Sequence, residues 1–400
     1  MTTAITRILM CLAALPLAAM LHAAEPRARD LGVPFEGETG TLNAITDVPG
    51  VEVGHDTIVS PEDVEPAVRT GVTAVLPRGK RAPTEAVFAG WFSQNGNGEM
   101  TGTTWVEESG LMYGPVMITN THSVGVVRDA VIAWGLRHYA FDTSDWWSLP
   151  VVAETWDGWL NDINGFHVKP EHAFAALDSA RGGPVAEGNV GGGTGMICYE
   201  FKCGIGTASR IVEDEGKRYT LGVLLQANFG RRSELLVAGA PVGSQIPEEP
   251  AYAALAGKRQ DRDLGSVIVV VATDAPLLPH QLNRIARRVT MGIARSGAVA
   301  GNGSGDIFLA FSTANSEASA AKGLPMVQML PNERITPFFT ATVQAVDEAV
   351  VNALVAARTM TGFKGHRAIA LPHGRLREVL LRYRRLAPQD SGRDATQQEQ

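Results

Sequence analysis

The sequence predicts a layered domain of the α/β or α+β class, in which helices cover β-sheets. The first observation is a set of nearly continuous apolar runs of strand length, which are typical of strands buried on both faces. These runs cover residues 116–120, 219–227, 233–239, 267–273 and 307–313. The second observation is that helical patterns separate the runs, so that strands and helices are mixed along one chain.

Three segments carry the helical patterns. The first is "RDAVIAWGLRH", residues 128–138. The second has a clear start and stop, because Pro279 suits a first helical turn and Gly297 suits a helix end. The third covers residues 340–362 and has apolar side chains at helical spacing. We therefore expect helices at these three positions, between and after the strands.

Composition and charge narrow the class of protein further. Of the 400 residues, 45% are hydrophobic and 19% are charged, which is typical of a globular chain with a large core rather than of a disordered one. The formal net charge is −7 at pH 7. A nucleic-acid partner would require a basic face, so this class of function is disfavoured.

The first 24 residues are typical of a secretory signal peptide. Arg7 precedes an apolar stretch at residues 8–21, and Ala23 and Ala24 supply small residues before a cut after about Ala24. The apolar stretch is too short and too rich in alanine to span a membrane. We expect an exported protein, periplasmic or secreted, without a membrane span and with a disordered polar tail at residues 387–400.

Two cysteines remain after removal of the signal peptide, Cys198 and Cys203. In an oxidising compartment they could close a small loop as a disulfide, and two buried thiols are the equally weighted alternative. No Cys or His residues have the spacing of a zinc site. A metal centre is therefore not expected.

The candidate nucleophile lies where the charged run "KRQDRDLG" passes directly into an apolar strand that begins at Ser266. A serine hydroxyl needs a base to become a nucleophile. Scission of the Gly265–Ser266 bond would give Ser266 a free α-amine, whose pKa in model peptides is about 7.7–8.0, so one residue would carry both groups. An ordinary Gly-Ser turn that opens a strand is the commoner explanation of the same residues.

Other polar residues stand at the ends of predicted strands. Ser304 and Asp306 lie in the glycine-rich turn "GNGSGD", where they could orient an amine, and Asn228 ends an apolar run, where its amide could bind an oxyanion. Turn formation alone would also explain each of them. Glu154 and Asp157 follow another apolar run, and Glu154 could bind a substrate ammonium or could be a solvated acid.

Seven segments together resemble the self-processing serine aminopeptidases, the family of the D-aminopeptidase/L-aminopeptidase-D-esterase and the bacterial β-peptidyl aminopeptidases. They occur in order over nearly all of the mature chain, and several are long, so the likeness is specific. The segments are "NAITDVPGVEVGH", "ITNTHSVGVVRDA", "ETWDGWLNDING", "GNVGGGTGMICYEFK", "LLQANFG", "GSVIVVVATDAPLLPHQL" and "GNGSGDIFLAFSTAN".

The resemblance implies a four-layer αββα sandwich similar to that of N-terminal-nucleophile hydrolases, as a single domain over residues 25–386. It implies that the precursor cuts itself between Gly265 and Ser266, which gives an α chain, 25–265, and a β chain, 266–400. It further implies a homotetramer of αβ units that needs neither a metal nor an organic cofactor.

The resemblance also assigns roles to individual residues. Ser266 matches the nucleophile, and Ser304 and Asp306 match the two residues that assist it, although some members have Glu at the second of these positions. Asn228 matches the oxyanion-binding asparagine, and Glu154 the acid that binds the substrate's free amino group. Trp156 stands where some members have an active-site Tyr, so this chain lacks that hydroxyl.

The leading hypothesis is therefore an exported, self-activating serine aminopeptidase that removes N-terminal L-α-, D-α- or β-amino acids from short peptides, amides or esters. Two alternatives remain at this stage. One is an acyltransferase related to ornithine acetyltransferases, whose nucleophile is a threonine. The other is an inactive periplasmic peptide-binding protein that keeps only the scaffold.

Overall fold

Two β-sheets face each other and helices cover both outer faces of the pair. The computed structural model describes residues 26–80, 85–139, 146–253, 265–320 and 322–387. The expected signal peptide and all but the first residue of the expected disordered tail lie outside these ranges. The order of layers is helix, sheet, sheet, helix, so the predicted αββα sandwich is confirmed.

The first sheet has four strands in the order β1-β2-β5-β6. Their bounds are β1 Glu52–Val59, β2 Arg69–Leu76, β5 Val116–Asn120 and β6 Val151–Thr155. Its outer face packs against α2, Val124–His138, and α3, Pro170–Ser179. Strands β5 and β6 are parallel, so both end at the same edge of the sheet.

The second sheet has six strands in the order β4-β3-β12-β11-β10-β9. Their bounds are β3 Val87–Gly96, β4 Leu111–Met112, β9 Ile205–Asp214, β10 Lys217–Asn228, β11 Ser266–Thr273 and β12 Gly305–Ser312. Its outer face packs against α5, Pro279–Arg295, and α6, Thr336–Val355. Helix α6 is as long and apolar as a membrane-spanning helix, but 72% of its most apolar window is buried inside the protein.

The remaining elements are short and lie around the sandwich. They are α1 Thr103–Ser109, α4 Val242–Gln245, α7 His373–Arg382, and the two-residue strand pairs β7 Ile197–Cys198 with β8 Phe201–Lys202 and β13 Met360–Thr361 with β14 Arg367–Ala368.

Strand β11 shows why the apolar runs predicted buried strands. Val267, Val269 and Val271 pack in the core between the sheet and its helices, and the alternate residues pack between the two sheets. A strand with core on both faces has no position for a solvated side chain, hence the continuous apolar run. The strands predicted at 116–120, 219–227, 267–273 and 307–313 are confirmed, as β5, β10, β11 and β12.

The strand predicted at residues 233–239 is wrong. A short 3-10 helix, Arg232–Glu234, begins this segment, and Ala238 and Gly239 have φ values of 48° and 75° that turn the chain. The backbone N–H of Leu236 donates to the carbonyl of Ser296, after α5, instead of to a neighbouring strand. The apolar side chains are buried as a loop over the core, which gives the same hydrophobicity as a strand.

The three predicted helices exist, but the third ends earlier than its apolar pattern. Helix α6 begins at Thr336 with Pro337 in its first turn and ends at Val355 rather than at residue 362. Beyond it, Arg358 exchanges two hydrogen bonds with the Asn189 side chain. A partner in another loop therefore replaces the helical hydrogen bonds at this point.

Candidate active site

The candidate residues meet where the strands of both sheets end. Ser266 is the first residue of β11, and its Cα pairs with that of Asn228 in β10 on one side and that of Gly305 in β12 on the other. The end of β6 in the facing sheet contacts the same point, because the N–H of Trp156 donates to Ser266 Oγ at 3.1 Å. The fold thus brings together residues that are far apart in the chain.

The Ser266 hydroxyl is buried, with 3% of the residue exposed, and accepts from two donors. These are Trp156 N at 3.1 Å and Asn228 Nδ2 at 3.4 Å. Both donors favour negative charge on Oγ and leave the hydroxyl proton available to a base. The contact from Trp156 is made by its backbone, which explains why the identity of this side chain did not reveal it.

The amide of Asn228 is held in one orientation. Its Oδ1 accepts from the N–H of Ile197 at 3.0 Å, so its Nδ2 is directed at Ser266. Asn228 is the last residue of β10 and is buried. Its position is therefore that of a preorganised donor next to Ser266 Oγ, rather than only that of a turn residue.

A disulfide and a buried lysine hold the hairpin of Ile197, whose N–H orients Asn228. Ile197 lies in the β7–β8 hairpin, which a disulfide between Cys198 and Cys203 closes with Cα atoms 5.4 Å apart. Within this hairpin the buried Lys202 Nζ donates to the carbonyls of Met196 at 2.8 Å and Cys203 at 2.5 Å, and burial lowers its pKa well below the usual value. Sequence reasoning missed this lysine.

The glycine-rich loop beside the hairpin crosses between the two sheets. A Cβ on Gly192 would lie 2.2 Å from Gln226 Oε1 and 2.8 Å from the carbonyl oxygen of Ile118. Only glycine fits so close a crossing.

Ser304 and Asp306 form a hydrogen-bonded pair around Gly305, whose Cα pairs with that of Ser266. Ser304 Oγ donates to Asp306 Oδ1 at 2.6 Å, and both residues are buried. Between them, the N–H of Gly305 donates to the carbonyl of Gly265, the residue before Ser266, at 3.1 Å. The pair therefore lies beside the bond expected to be cut.

Two asparagines of β3 and its extension hold the turn that precedes Ser304. Asn95 Nδ2 donates to the carbonyl of Gly301 at 2.6 Å, and Asn97 Nδ2 donates to that of Gly303 at 2.7 Å. Sequence reasoning missed both residues. The repeated Asn and Gly in "SQNGNGE" were a usable signal, because amide side chains commonly satisfy turn carbonyls.

Glu154 is buried rather than solvated, with 3% of the residue exposed. Its Oε2 accepts from Thr121 Oγ1 at 2.5 Å, and its Oε1 accepts from the N–H of Glu99 at 3.1 Å. Burial raises the pKa of Glu154, and these hydrogen bonds offset only part of that rise. A buried carboxylate at the end of β6 is suited to bind an ammonium group, since such a pair is strong away from water.

Asp157 is fully buried but does not join Glu154. Asn120 Nδ2 donates to its two carboxylate oxygens at 3.3 and 3.0 Å, so Asp157 joins the turn after β6 to the end of β5. Burial raises the pKa of Asp157 to about 6. Its position indicates that it anchors the turn that carries the Trp156 N–H.

Replacement of Asp157 by Asn should make stability less dependent on pH. Between about pH 4 and the raised pKa, the folded wild-type protein retains a proton that the unfolded chain has lost, so its stability falls as pH rises. The free energy of unfolding of D157N, relative to wild type, should be about 1 kcal/mol higher at pH 8 than at pH 5. Urea unfolding at both pH values measures it, with D129N as the surface control; equal differences at the two pH values would contradict the expectation.

Within the described part of the chain, no three His, Cys, Asp or Glu side chains lie close enough together to hold a metal ion. The groups that can do chemistry at the strand ends are a hydroxyl, a hydrogen-bonded hydroxyl–carboxylate pair, an amide donor and a buried carboxylate.

Comparison with known proteins identifies the family. The model of peptidase family S58 matches residues 43–368. The chain belongs to peptidase family S58. It is 55% identical over 388 residues to the β-peptidyl aminopeptidase BapA of Sphingosinicella microcystinivorans, over 94% of this chain and 97% of the relative. It is 47% identical to BapA of Sphingosinicella xenopeptidilytica, over 91% and 93% of the two chains.

A solved structure of a serine aminopeptidase agrees in fold. The L-aminopeptidase D-Ala-esterase/amidase of Ochrobactrum anthropi, described as a variant of the Ntn hydrolase fold, superposes with a TM-score of 0.85 at 49% identity, covering 91% of this chain and all of the other. The S58 chain is therefore a peptidase with an Ntn-hydrolase-like fold. Family membership favours hydrolysis over both earlier alternatives, the acetyl transferase and the inactive binding protein.

Proposed function

We propose that this S58 peptidase is an exported, self-activating serine aminopeptidase that acts through an acyl-enzyme on Ser266. The observation that carries the proposal is the Ser266 Oγ, which accepts from Asn228 and from the Trp156 N–H. The Ser304–Asp306 pair flanks Gly305, the β12 residue whose Cα pairs with that of Ser266, and the buried Glu154 lies two residues before Trp156 at the end of β6. These residues supply a hydroxyl, an oxyanion donor, a hydroxyl–carboxylate pair and a buried carboxylate, which are the groups that hydrolysis of a substrate with a free amine requires.

Activation begins with attack of Ser266 Oγ on the carbonyl carbon of Gly265. The C–N bond breaks as the nitrogen takes a proton, which leaves an ester between Gly265 and the Ser266 hydroxyl. Water then hydrolyses this ester. The products are a carboxylate on Gly265 and a free α-amine on Ser266, which can act as the base for later turnovers.

Turnover uses the same groups on an external substrate. Glu154 binds the substrate ammonium, and Ser266 Oγ attacks the first carbonyl while the α-amine, oriented by Ser304 and Asp306, accepts the hydroxyl proton. Asn228 Nδ2 donates to the developing oxyanion. The α-amine returns the proton to the leaving nitrogen, and water releases the acyl group.

The state of the purified wild-type protein tests the activation step. Denaturing gel electrophoresis should show two chains, and N-terminal sequencing of the smaller should read Ser-Val-Ile-Val. Intact mass should place the cut between Gly265 and Ser266. A single unbroken polypeptide in fully active material would contradict the proposal.

The Asn228→Ala substitution should lower kcat by roughly 10² to 10³-fold, as expected for loss of one oxyanion donor. KM should change little, because the amide binds charge that appears only in the transition state. Steady-state kinetics on an aminoacyl p-nitroanilide measures both constants. N164A, which removes an exposed amide in the short 3-10 helix Ile163–Gly165, is the control and should be near wild type. An N228A variant with wild-type kcat would remove the assigned role.

The names of the relatives support a choice of substrate. One is a β-peptidyl aminopeptidase and another an L-aminopeptidase and D-Ala-esterase, so the proposed substrates are short peptides, amides and esters with a free N-terminal β-, D-α- or L-α-residue. The 55% identity to the first favours β-residues. A panel of matched p-nitroanilides with β-homo, D and L residues ranks the three.

Export and assembly are also part of the proposal. The signal-like pattern of residues 1–24 supports export to the periplasm, as does the disulfide between Cys198 and Cys203. A homotetramer of αβ units is the assembly that the resemblance implies. Cell fractionation tests the first statement and light scattering of the purified protein tests the second.

A further inference from the structure

A cavity of about 190 Å³ lies directly behind the Ser304–Asp306 pair. It occupies the helix side of the six-stranded sheet, where Val267 of β11 lines it together with Thr290 and Ala294 of α5. Ser266 Oγ meets the Trp156 N–H on the other side, towards the facing sheet, and Glu154 belongs to β6 of that facing sheet. The cavity and the Glu154 carboxylate therefore lie on opposite sides of the six-stranded sheet that carries Ser266.

This placement determines which part of a substrate each side can receive. In the proposed function, on which this inference rests, the ammonium lies at Glu154 and the scissile carbonyl at Ser266. The leaving nitrogen must take its proton from the α-amine that Ser304 and Asp306 orient. The residue attached to that nitrogen must then extend past the pair, towards the cavity.

We propose that this cavity is the subsite for the residue that follows the scissile bond, and that it accepts a neutral, apolar side chain. Its walls include Phe229, Val267 and Ile293, which are buried apolar residues. A volume near 190 Å³ suits one side chain rather than a longer stretch of peptide, since pockets for drug-sized ligands begin at about 300 Å³.

Polar atoms of the lining favour a peptide over a purely apolar ligand. Gln94 Oε1 and Thr290 Oγ1 are buried and have no hydrogen-bond partner among the described residues. A buried polar group without a partner is costly, so a ligand that pairs with it gains affinity. A peptide backbone supplies both an N–H for the amide oxygen and a carbonyl for the hydroxyl.

The charges of the lining set the selectivity. Among its described residues the two charged ones are Glu234 and Asp306, both acidic. An acidic leaving residue would be placed near them in a partly enclosed space, where repulsion is strong. Apolar side chains should therefore be preferred to acidic ones.

Hydrolysis of a matched substrate series tests the proposal on the intact, mature enzyme. Three substrates have the same accepted N-terminal residue, followed after the scissile bond by Gly-NH₂, Leu-NH₂ or Glu-NH₂. The fourth is the methyl ester of that N-terminal residue, which places no side chain in the cavity. In wild type, kcat/KM for the Leu amide should exceed that for the Gly amide by about tenfold or more, as expected from burial of one such side chain. The Glu amide should be slower than the Gly amide.

The A294F variant fills the cavity from α5 and should abolish the preference for Leu over Gly while methyl ester hydrolysis stays within about threefold of wild type. The control is A175F, which enlarges an exposed alanine of α3 and should keep the wild-type series. If A294F does not fold, T290V removes the unpaired hydroxyl with little change in volume and should lower kcat/KM for all three amides but not for the ester.

The outcomes separate this inference from the proposed function. A wild-type enzyme with no preference for Leu, or an A294F enzyme that keeps the full preference, overturns the subsite while leaving Ser266 chemistry intact. A wild-type enzyme that does not hydrolyse the ester, or a Ser266→Ala enzyme that still hydrolyses these substrates, overturns the proposed function instead.

Discussion

The Ser266→Ala variant is expected to remain one uncut chain and to lose on the order of 10⁵-fold or more in kcat/KM, the scale seen when a serine nucleophile is removed from a hydrolase. The reason is twofold. Alanine has no Oγ to attack Gly265 or a substrate, and without the cut no α-amine exists to act as the base. Gel electrophoresis and hydrolysis of an aminoacyl p-nitroanilide measure the two losses in the same sample.

Two further variants make this result specific. S233A removes an exposed serine hydroxyl and should be cut and active like wild type. S304A should retain the nucleophile but cut and turn over slowly, because Asp306 loses the hydroxyl that donates to it. The assignment of Ser266 fails if S266A is cut at the same bond or hydrolyses peptides.

The Glu154→Gln variant should have the second largest effect, a fall of roughly 10² to 10³-fold in kcat/KM for substrates with a free ammonium. The buried carboxylate is replaced by a neutral amide, so the ammonium enters a desolvated site without a counter-charge. Self-cleavage should continue near the wild-type rate, because the Gly265 carbonyl belongs to a chain that has no free amine there. In this variant kcat/KM for peptides should therefore fall, while the fraction of chains that are cut should stay near the wild-type value.

The pH dependence gives the same assignment an independent readout. Ammonium binding requires ionised Glu154, whose pKa is raised by burial, so KM in the wild type should increase as pH falls through a value above that of an ordinary glutamate. In E154Q this acidic limb should be absent. E171Q is the matched control, since Glu171 is an exposed glutamate in the first turn of α3. Equal losses in cutting and turnover for E154Q would remove its proposed role.

The predicted parts of the site are side chains at the first or last residues of buried strands. Ser266, Asn228 and Asp306 lie at or next to the ends of apolar runs, and parallel β11 and β12 bring two of these ends together. The runs themselves were visible because both faces of β10, β11 and β12 are buried. Strands with a mixed pattern, such as β3, were not found by this rule.

The parts that escaped prediction are contacts made across the sandwich. Trp156 acts through its N–H and Glu99 through another, and a backbone group is the same in every residue. Thr121 reaches Glu154 only because β5 and β6 are parallel neighbours, a pairing that neither strand reveals alone. Local pattern identifies the strands, whereas their order in the sheet depends on packing over the whole chain.

The order of strands in the six-stranded sheet has a consequence for the cut protein. Strands β11 and β12 come after Ser266, and they lie between β3 on one side and β10 on the other, both of which come before it. In the two fragments that the proposed cut would give, β11 and β12 of one are inserted between β3 and β10 of the other. Neither fragment of the proposed cut could leave without breaking the hydrogen bonds in the middle of this sheet. We therefore expect the cut enzyme to stay together in solution, and we expect fragments separated by denaturant to recover a complete sheet only after they associate again.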